Sequence, residues 1–216
     1  MITVRIAFEK RGESAYISLL DLQRVFHRLI KRSNLPVYYT QGYNPHIYLA
    51  FACPLPLGQE SLCESCEVKT EDENADWTLW QAALQPFMPR GITITGIAPA
   101  VHKMGEVAYA AYRVTMPKTA AAALDAYNAQ SSALVTKKTK RGLKELELKD
   151  YVPQVAYEVA GENTVFTLKM PCGQEGMPNL NPALLLNYLQ QTHEIPAWQC
   201  QILRTEVLMA DDAVFC

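Results

Sequence analysis

No stretch of the sequence approaches the ~18 uninterrupted apolar residues of a membrane-spanning helix, so no helical span is expected. The opening residues, MITVRIAFEK, lack a basic segment followed by a long apolar run. No secretory signal is therefore read, and the cytoplasm is the expected compartment. There is no P-loop, no Gly-x-Gly-x-x-Gly after a strand and no Ser-His-Asp order, which leaves nucleotide-cradling and triad chemistry without a motif. Cysteine is sparse and scattered: Cys53, Cys63, Cys66, Cys172, Cys200 and Cys216 lie in a chain too large to need disulfide staples, so they are expected reduced and mostly buried. The one close pair, Cys63-Glu-Ser-Cys66, is a lone Cys-x2-Cys, and on a strand its thiols would face opposite sides. No metal and no cofactor are expected. Charged residues are only 19% against 49% hydrophobic, a globular balance rather than a disordered one.

A net charge of -2 does not by itself suggest a nucleic-acid partner. The distribution does. Residues 1–58 hold seven basic and three acidic side chains, residues 59–89 one and seven, residues 90–150 ten and five, and residues 151–216 two and seven. Binding follows local potential, so the two basic blocks outweigh the sum.

The richest stretch is Ser18 to Gly58. Ser18 and Asp21 form a capping-box-like helix start. At ~100° per residue, Leu19, Leu22, Phe26, Leu29 and Ile30 share one side, while Arg24, Arg28, Lys31 and Arg32 share the other. Lys10 and Arg11, in the polar turn before it, extend the same basic block. Asn34 and Pro36 end the helix. The loop that follows carries Tyr39, Gln41, Tyr43, Asn44 and His46, in which Gly42 permits positive φ and Asn44 before proline must be extended. Tyr43 can stack on an unpaired base, Gln41 and Asn44 can bond a base edge, and His46 can hold phosphate or act as a general acid or base. The bland alternative is a solvated helix face beside an architectural turn. A second basic cluster, Lys137, Lys138, Lys140, Arg141 and Lys144, occupies a hairpin-like tip able to follow a nucleic-acid backbone.

Periodicity along the chain gives strand, helix, strand, strand, helix, strand twice. Strands are expected at 2–9, 37–39, 47–53, 62–70 and 91–98, with helices at 18–33 and 75–87. The order restarts with strands at 107–116 and 133–136, broken extended segments over 143–159, and strands at 164–170 and 198–209. Helices are expected at 119–130 and 184–191. The expected class is α+β, tandem ferredoxin-like domains with antiparallel sheets and helices on one face. The halves are 1–100, with the basic helix and the QGYNPH loop, and 106–216, with the basic hairpin.

AFEKRG, ISLLDLQRVFHRLIKRSNLPVYYTQGYNPHIYLAFACPLPLG and KKTKRGLKELELKDYV resemble the radical-SAM-linked protein family, a bacterial domain of unknown function. That family occurs alone or fused behind a radical-SAM protein with a cobalamin-binding-like region. Its genes tend to lie near those of such proteins, and often near genes for a ribosomal protein and an RNase E/G-type ribonuclease. The family usually has Ser-His-Leu-Asp where this chain has Ser18-Leu19-Leu20-Asp21, so no role for that histidine carries over. The three close thiolates of a radical-SAM cluster, Cys-x3-Cys-x2-Cys, are absent, so the radical enzyme would be a partner and not this chain. The loop Gly173 to Pro182 also sits where tandem ferredoxin-like RNA endonucleases of CRISPR systems carry a glycine-rich loop. The expected function is an RNA-binding accessory module presenting a tRNA- or rRNA-type substrate to a radical-SAM partner. The alternatives are a metal-independent ribonuclease or RNA-modifying enzyme using His46, and a protein-interaction adaptor that binds no RNA.

Overall fold

The computed structural model describes residues 1–139, 142–173, 176–195 and 199–215, with backbone alone for Lys138 and Thr139. The fold is mixed α+β with mostly antiparallel strand pairing. Two compact units divide the chain: Met1–Val107 together with Glu206–Cys216, and Ala108–Thr205.

In the first unit, β1 (Ile2–Lys10) alternates so that Val4, Ile6 and Phe8 point to one face and are fully buried. It pairs on one side with β3 (Glu60–Thr70) and on the other with β4 (Ile92–Pro99), and β2 (Ala50–Phe51) adds to β3. The order is thus β4-β1-β3-β2. Helices α1 (Leu19–Ser33) and α2 (Trp77–Leu84) supply Leu22, Phe26, Leu29, Ile30, Trp80 and Leu84 to the same core. Phe8, Phe26 and Phe51 meet there at ring separations of 5.1 to 6.3 Å.

Helix α1 starts as the capping residues dictate. Ser18 Oγ accepts the Asp21 N–H at 3.2 Å and donates to the Asp21 carboxylate at 2.7 Å, while Arg24 binds that carboxylate at 2.9 Å. The serine hydroxyl, then the arginine, hold the Asp21 carboxyl below its ordinary range. The helix ends where Asn34 turns left-handed at φ 52°.

Two expected strands shrink. Val37–Tyr39 and Ile47–Cys53 give only the bridges Val37↔Thr70 and Tyr39↔Ile47 and the two-residue β2. Pro36, Pro45 and Pro54 remove ladder donors and constrain the residues before them. The expected helix 75–87 becomes α2 with Asp76 as its cap, then a tighter turn over Gln85–Phe87, because Pro86 has no N–H to continue the ladder. Gly91 is fixed by space as well as by φ 86°: a Cβ there would lie 2.2 Å from the Arg11 carbonyl oxygen.

In the second unit, β5 (Tyr109–Pro117) pairs with β9 (Asn163–Pro171), which pairs with β8 (Tyr157–Ala160). Between them lie α3 (Ala121–Ala129) and the separate hairpin of β6 (Leu134–Thr139) and β7 (Gly142–Glu147). α4 (Ala183–His193) and β10 (Gln201–Leu208) follow, and β10 lies beside β5. The core gathers Tyr112, Val114 and Met116 from β5, Phe166 and Met170 from β9, and Leu124, Tyr127, Leu185 and Leu189 from the helices. The closing strand is shorter than the expected 198–209, and Trp198 lies outside the described residues. The turn Gly161-Glu162-Asn163 falls where expected, with Gly161 at φ 60°.

Candidate nucleic-acid interface

The bend after α1 is built from a few local bonds. The Thr40 N–H donates to the His46 carbonyl at 2.8 Å, and Thr40 Oγ1 accepts the His46 N–H at 3.1 Å. His46 Nδ1 lies 3.0 Å from Thr40 Oγ1 and 3.2 Å from the Asn44 carbonyl. A carbonyl only accepts, so Nδ1 carries the proton, and the lone pair of the neutral ring sits on Nε2. These bonds close a six-residue excursion in which Gln41, Gly42, Tyr43, Asn44, Pro45 and His46 are all exposed. Tyr43 has no packing partner at all, at 109% relative exposure. Gly42 adopts φ 137°, a positive value of the kind that the absence of a Cβ permits.

The helix beside the bend presents Arg24, Arg28, Lys31 and Arg32 as exposed side chains. Arg24 is tied to Asp21 at 2.9 Å, and Arg32 stacks over the Phe87 ring at 4.7 Å. Arg28 and Lys31 have no ion pair among the described residues, which leaves them as the available phosphate contacts of this face. His27, half-buried on the same helix, was not singled out from sequence. Burial lowers its pKa first, and the charges of His46 and Lys31 lower it further, which places helix and bend in electrostatic contact.

Two expected contacts of this block are committed elsewhere. Lys10 is 2% exposed, and its ammonium donates to the carbonyls of Ala15 at 3.3 Å and Ile17 at 2.9 Å. It tethers the turn that leads into α1 and does not reach the surface. Arg11 binds Glu60 through Nε at 2.9 Å, and the Gly12 N–H binds the same carboxylate at 2.7 Å.

The second basic cluster belongs to the other unit. In the β6–β7 hairpin, Lys137 stands directly opposite Lys144, and Lys138 opposite Leu143. The Lys137 ammonium donates to the Asn179 carbonyl, and desolvation lowers its pKa. Lys144 is exposed. The side chain of Lys138 and all of Lys140 and Arg141 lie outside the described residues, as do Gln174 and Glu175 of the glycine-rich loop.

Two concavities of the first unit escaped the sequence reading. One, of about 350 Å³, is lined by Arg5, Ala7, Cys63, Ser65, Gly96 and Phe215 among others. There Arg5 binds Glu67 at 2.7 Å, both nearly fully buried, and Phe215 covers the guanidinium at 4.0 Å. Cys63 faces this cavity while Cys66 lies in the opposite core, where burial pushes its thiol pKa well up. The other, of about 500 Å³, adjoins the bend and is lined by Pro36, Val37, Tyr38, Tyr39, Gln41, Glu71 and Asp72. No group of three or more His, Cys, Asp or Glu suited to a metal occurs among the described residues, and no described helix is long and apolar enough to cross a membrane.

Curated proteins offer no match to this chain. The crystal structure of an unknown protein from Galdieria sulphuraria is similar over 94% of this chain and 98% of that one, at 13% identity and a TM-score of 0.26, a likeness that carries no argument. A family model described as an uncharacterized protein conserved in bacteria (DUF2344) matches residues 3–182, and the chain belongs to that family.

Proposed function

We propose that this protein is an RNA-binding accessory module of the radical-SAM-linked type, which presents a tRNA- or rRNA-type substrate to a cytoplasmic radical-SAM partner. The observation that carries the reading is the juxtaposition in one unit of the fully exposed Tyr43 and a cationic helix face on which Arg28 and Lys31 have no ion pair among the described residues. An exposed tyrosine whose ring packs on nothing has apolar surface left to bury, and a stacked base buries it. Arg28 and Lys31 alongside would neutralise flanking phosphates. Each unit follows a ferredoxin-like plan in this reading. The order β4-β1-β3-β2 supports it in the first unit, and β10-β5-β9-β8, with the β6–β7 hairpin inserted after α3, supports it in the second.

The test is polarisation of a labelled single-stranded RNA titrated with protein across a salt series. Affinity should fall steeply with salt, and Arg28→Ala or Lys31→Ala should each flatten the slope by about one phosphate. Tyr43→Ala should weaken binding about tenfold at every salt concentration. Salt-independent binding, or none, overturns the proposal. One observation favours a second reading, a metal-independent ribonuclease: His46 is exposed and its Nε2 lone pair makes no hydrogen bond among the described residues. Cleavage of the same RNA in the presence of a chelator, lost in His46→Ala, would select that reading.

A further inference from the structure

The concavity beside the bend has a chemistry that the basic helix does not share. Its rim is aromatic, from Tyr38 and Tyr39, and Gln41 adds an amide. Its charged lining residues are both acidic, Glu71 and Asp72. The chain places them together deliberately. Val37 bridges to Thr70, the Tyr38 N–H donates to the Lys69 carbonyl at 2.7 Å, and Thr70 Oγ1 donates to the Pro36 carbonyl at 2.5 Å. These three contacts lay residues 36–39 along the end of β3, and the two residues that leave β3, Glu71 and Asp72, line the same concavity as the tyrosines.

Asp72 is partly engaged, since its Oδ1 accepts the Asn74 N–H at 3.2 Å. Glu71 is exposed and has no hydrogen-bond or ion-pair partner among the described residues. Lys69, the nearest cation in sequence, is directed to the Tyr48 ring at 4.5 Å. The site therefore presents acceptors without a matching cation. A phosphate would be repelled from it. A planar group carrying two adjacent N–H donors would be held by the carboxylate and stacked on the phenol ring. Among the four RNA bases, guanine alone offers such a pair on one edge, its N1–H and N2–H.

We infer that this concavity, formed by Tyr38, Tyr39 and Gln41 with Glu71 and Asp72, selects an unpaired guanine, with Glu71 accepting from its N1–H and N2–H. The inference rests on the RNA-binding reading and adds base specificity to it. Its volume of about 500 Å³ exceeds the lower bound of ~300 Å³ for small-ligand sites, so a whole nucleoside can enter. Phosphates stay outside, on Arg28 and Lys31 of the helix, and the base goes in.

The experiment compares four labelled heptamers in equilibrium titrations with the intact chain: UUUGUUU, the same RNA with inosine for guanine, UUUAUUU and UUUUUUU. The guanine heptamer should bind about tenfold more tightly than the adenine one, whose unprotonated N1 faces the carboxylate. Inosine keeps N1–H but lacks the N2 amino group and should fall between. Glu71→Gln, an exposed and conservative change, should erase the guanine preference and leave UUUAUUU affinity within twofold. If all four heptamers bind alike with steep salt dependence, the guanine inference falls and the RNA-binding reading stands. If none binds, both fall. If a lysine-rich peptide binds and Glu71→Gln abolishes that binding, the carboxylates serve protein cations, and the inference is overturned.

Discussion

Lys10 and Lys31 look alike in the sequence, each a cation in the first basic block. They differ in what the ammonium touches. Lys10 is buried and donates to the Ala15 and Ile17 carbonyls; Lys31 is exposed. Replacing Lys10 by Met should lower stability by about 1–3 kcal/mol, because two buried carbonyls lose a charged donor, while the salt slope of RNA binding stays unchanged. Lys31→Met should do the reverse, flattening the slope with a stability change within about 0.5 kcal/mol. Urea denaturation and salt-dependent binding on both variants measure this. A loss of slope in Lys10→Met would mean that the ammonium leaves its carbonyl cradle for phosphate. Sequence could count these cations but could not sort them. Alternation along β1 carries the buried face of Val4, Ile6 and Phe8 on to Lys10, but the Ala15 and Ile17 carbonyls that receive its ammonium are placed by the turn folding back over the strand, which a count of cations does not show.

Helix α1 is an element whose two faces were both legible, since a 3.6-residue period and a serine cap act over a few residues. His27 lies at the border between those faces, and its charged neighbours come from both the bend, through His46, and the helix itself, through Lys31. Burial, His46 and Lys31 together lower its pKa from 6.5. The folded ring takes its proton at lower pH than the unfolded one. Below about pH 6.5 the unfolded chain therefore binds more protons, and stability present above that pH declines on acidification. Imidazole proton shifts followed by NMR should show a midpoint below 6.5 that rises in Lys31→Met and rises on adding RNA. A midpoint that RNA leaves unmoved would place phosphate away from this face. The β6–β7 hairpin obeys a different rule. Its facing lysines, Lys137 and Lys144, oppose each other as like charges. Lys144→Glu turns that repulsion into attraction and should stabilise the hairpin by about 0.2–1 kcal/mol, read from amide exchange of Leu134–Thr136. If the hairpin contacts RNA, the same change weakens binding, and a variant both tighter in exchange and unaltered in affinity assigns the hairpin a purely structural role.

At the scale of the whole molecule, the strand and helix order was readable because hydrophobic period is local, whereas membership of a unit was not. Residues 206–216 continue the last strand of the second half in sequence, yet they belong to the first unit. Nothing local announces it. The return is recorded in contacts across the full length of the chain: Phe215, 8% exposed, covers the Arg5 guanidinium at 4.0 Å, and Arg5 in turn binds Glu67 at 2.7 Å. The segment is fastened by the Phe215 N–H to the Val207 carbonyl at 2.8 Å and the Met209 N–H to the Ala213 carbonyl at 2.9 Å. Ending the chain at Leu208 removes the ring that shields a buried ion pair and opens that pair to water. Burial of one phenylalanine is worth about 1.5–3 kcal/mol, and the cation–π contact adds about 1–2. The first unit should therefore lose roughly 2.5–5 kcal/mol, with amide exchange accelerating along β1 and β3 while α3, α4 and β9 keep their protection. Phe215→Leu keeps most of the burial without the aromatic face, so it should forfeit only about the cation–π share. Equal losses in the truncation and in Phe215→Leu would trace the whole effect to the ring's interaction with Arg5. Uniform acceleration across both units would show that the two cores do not unfold separately.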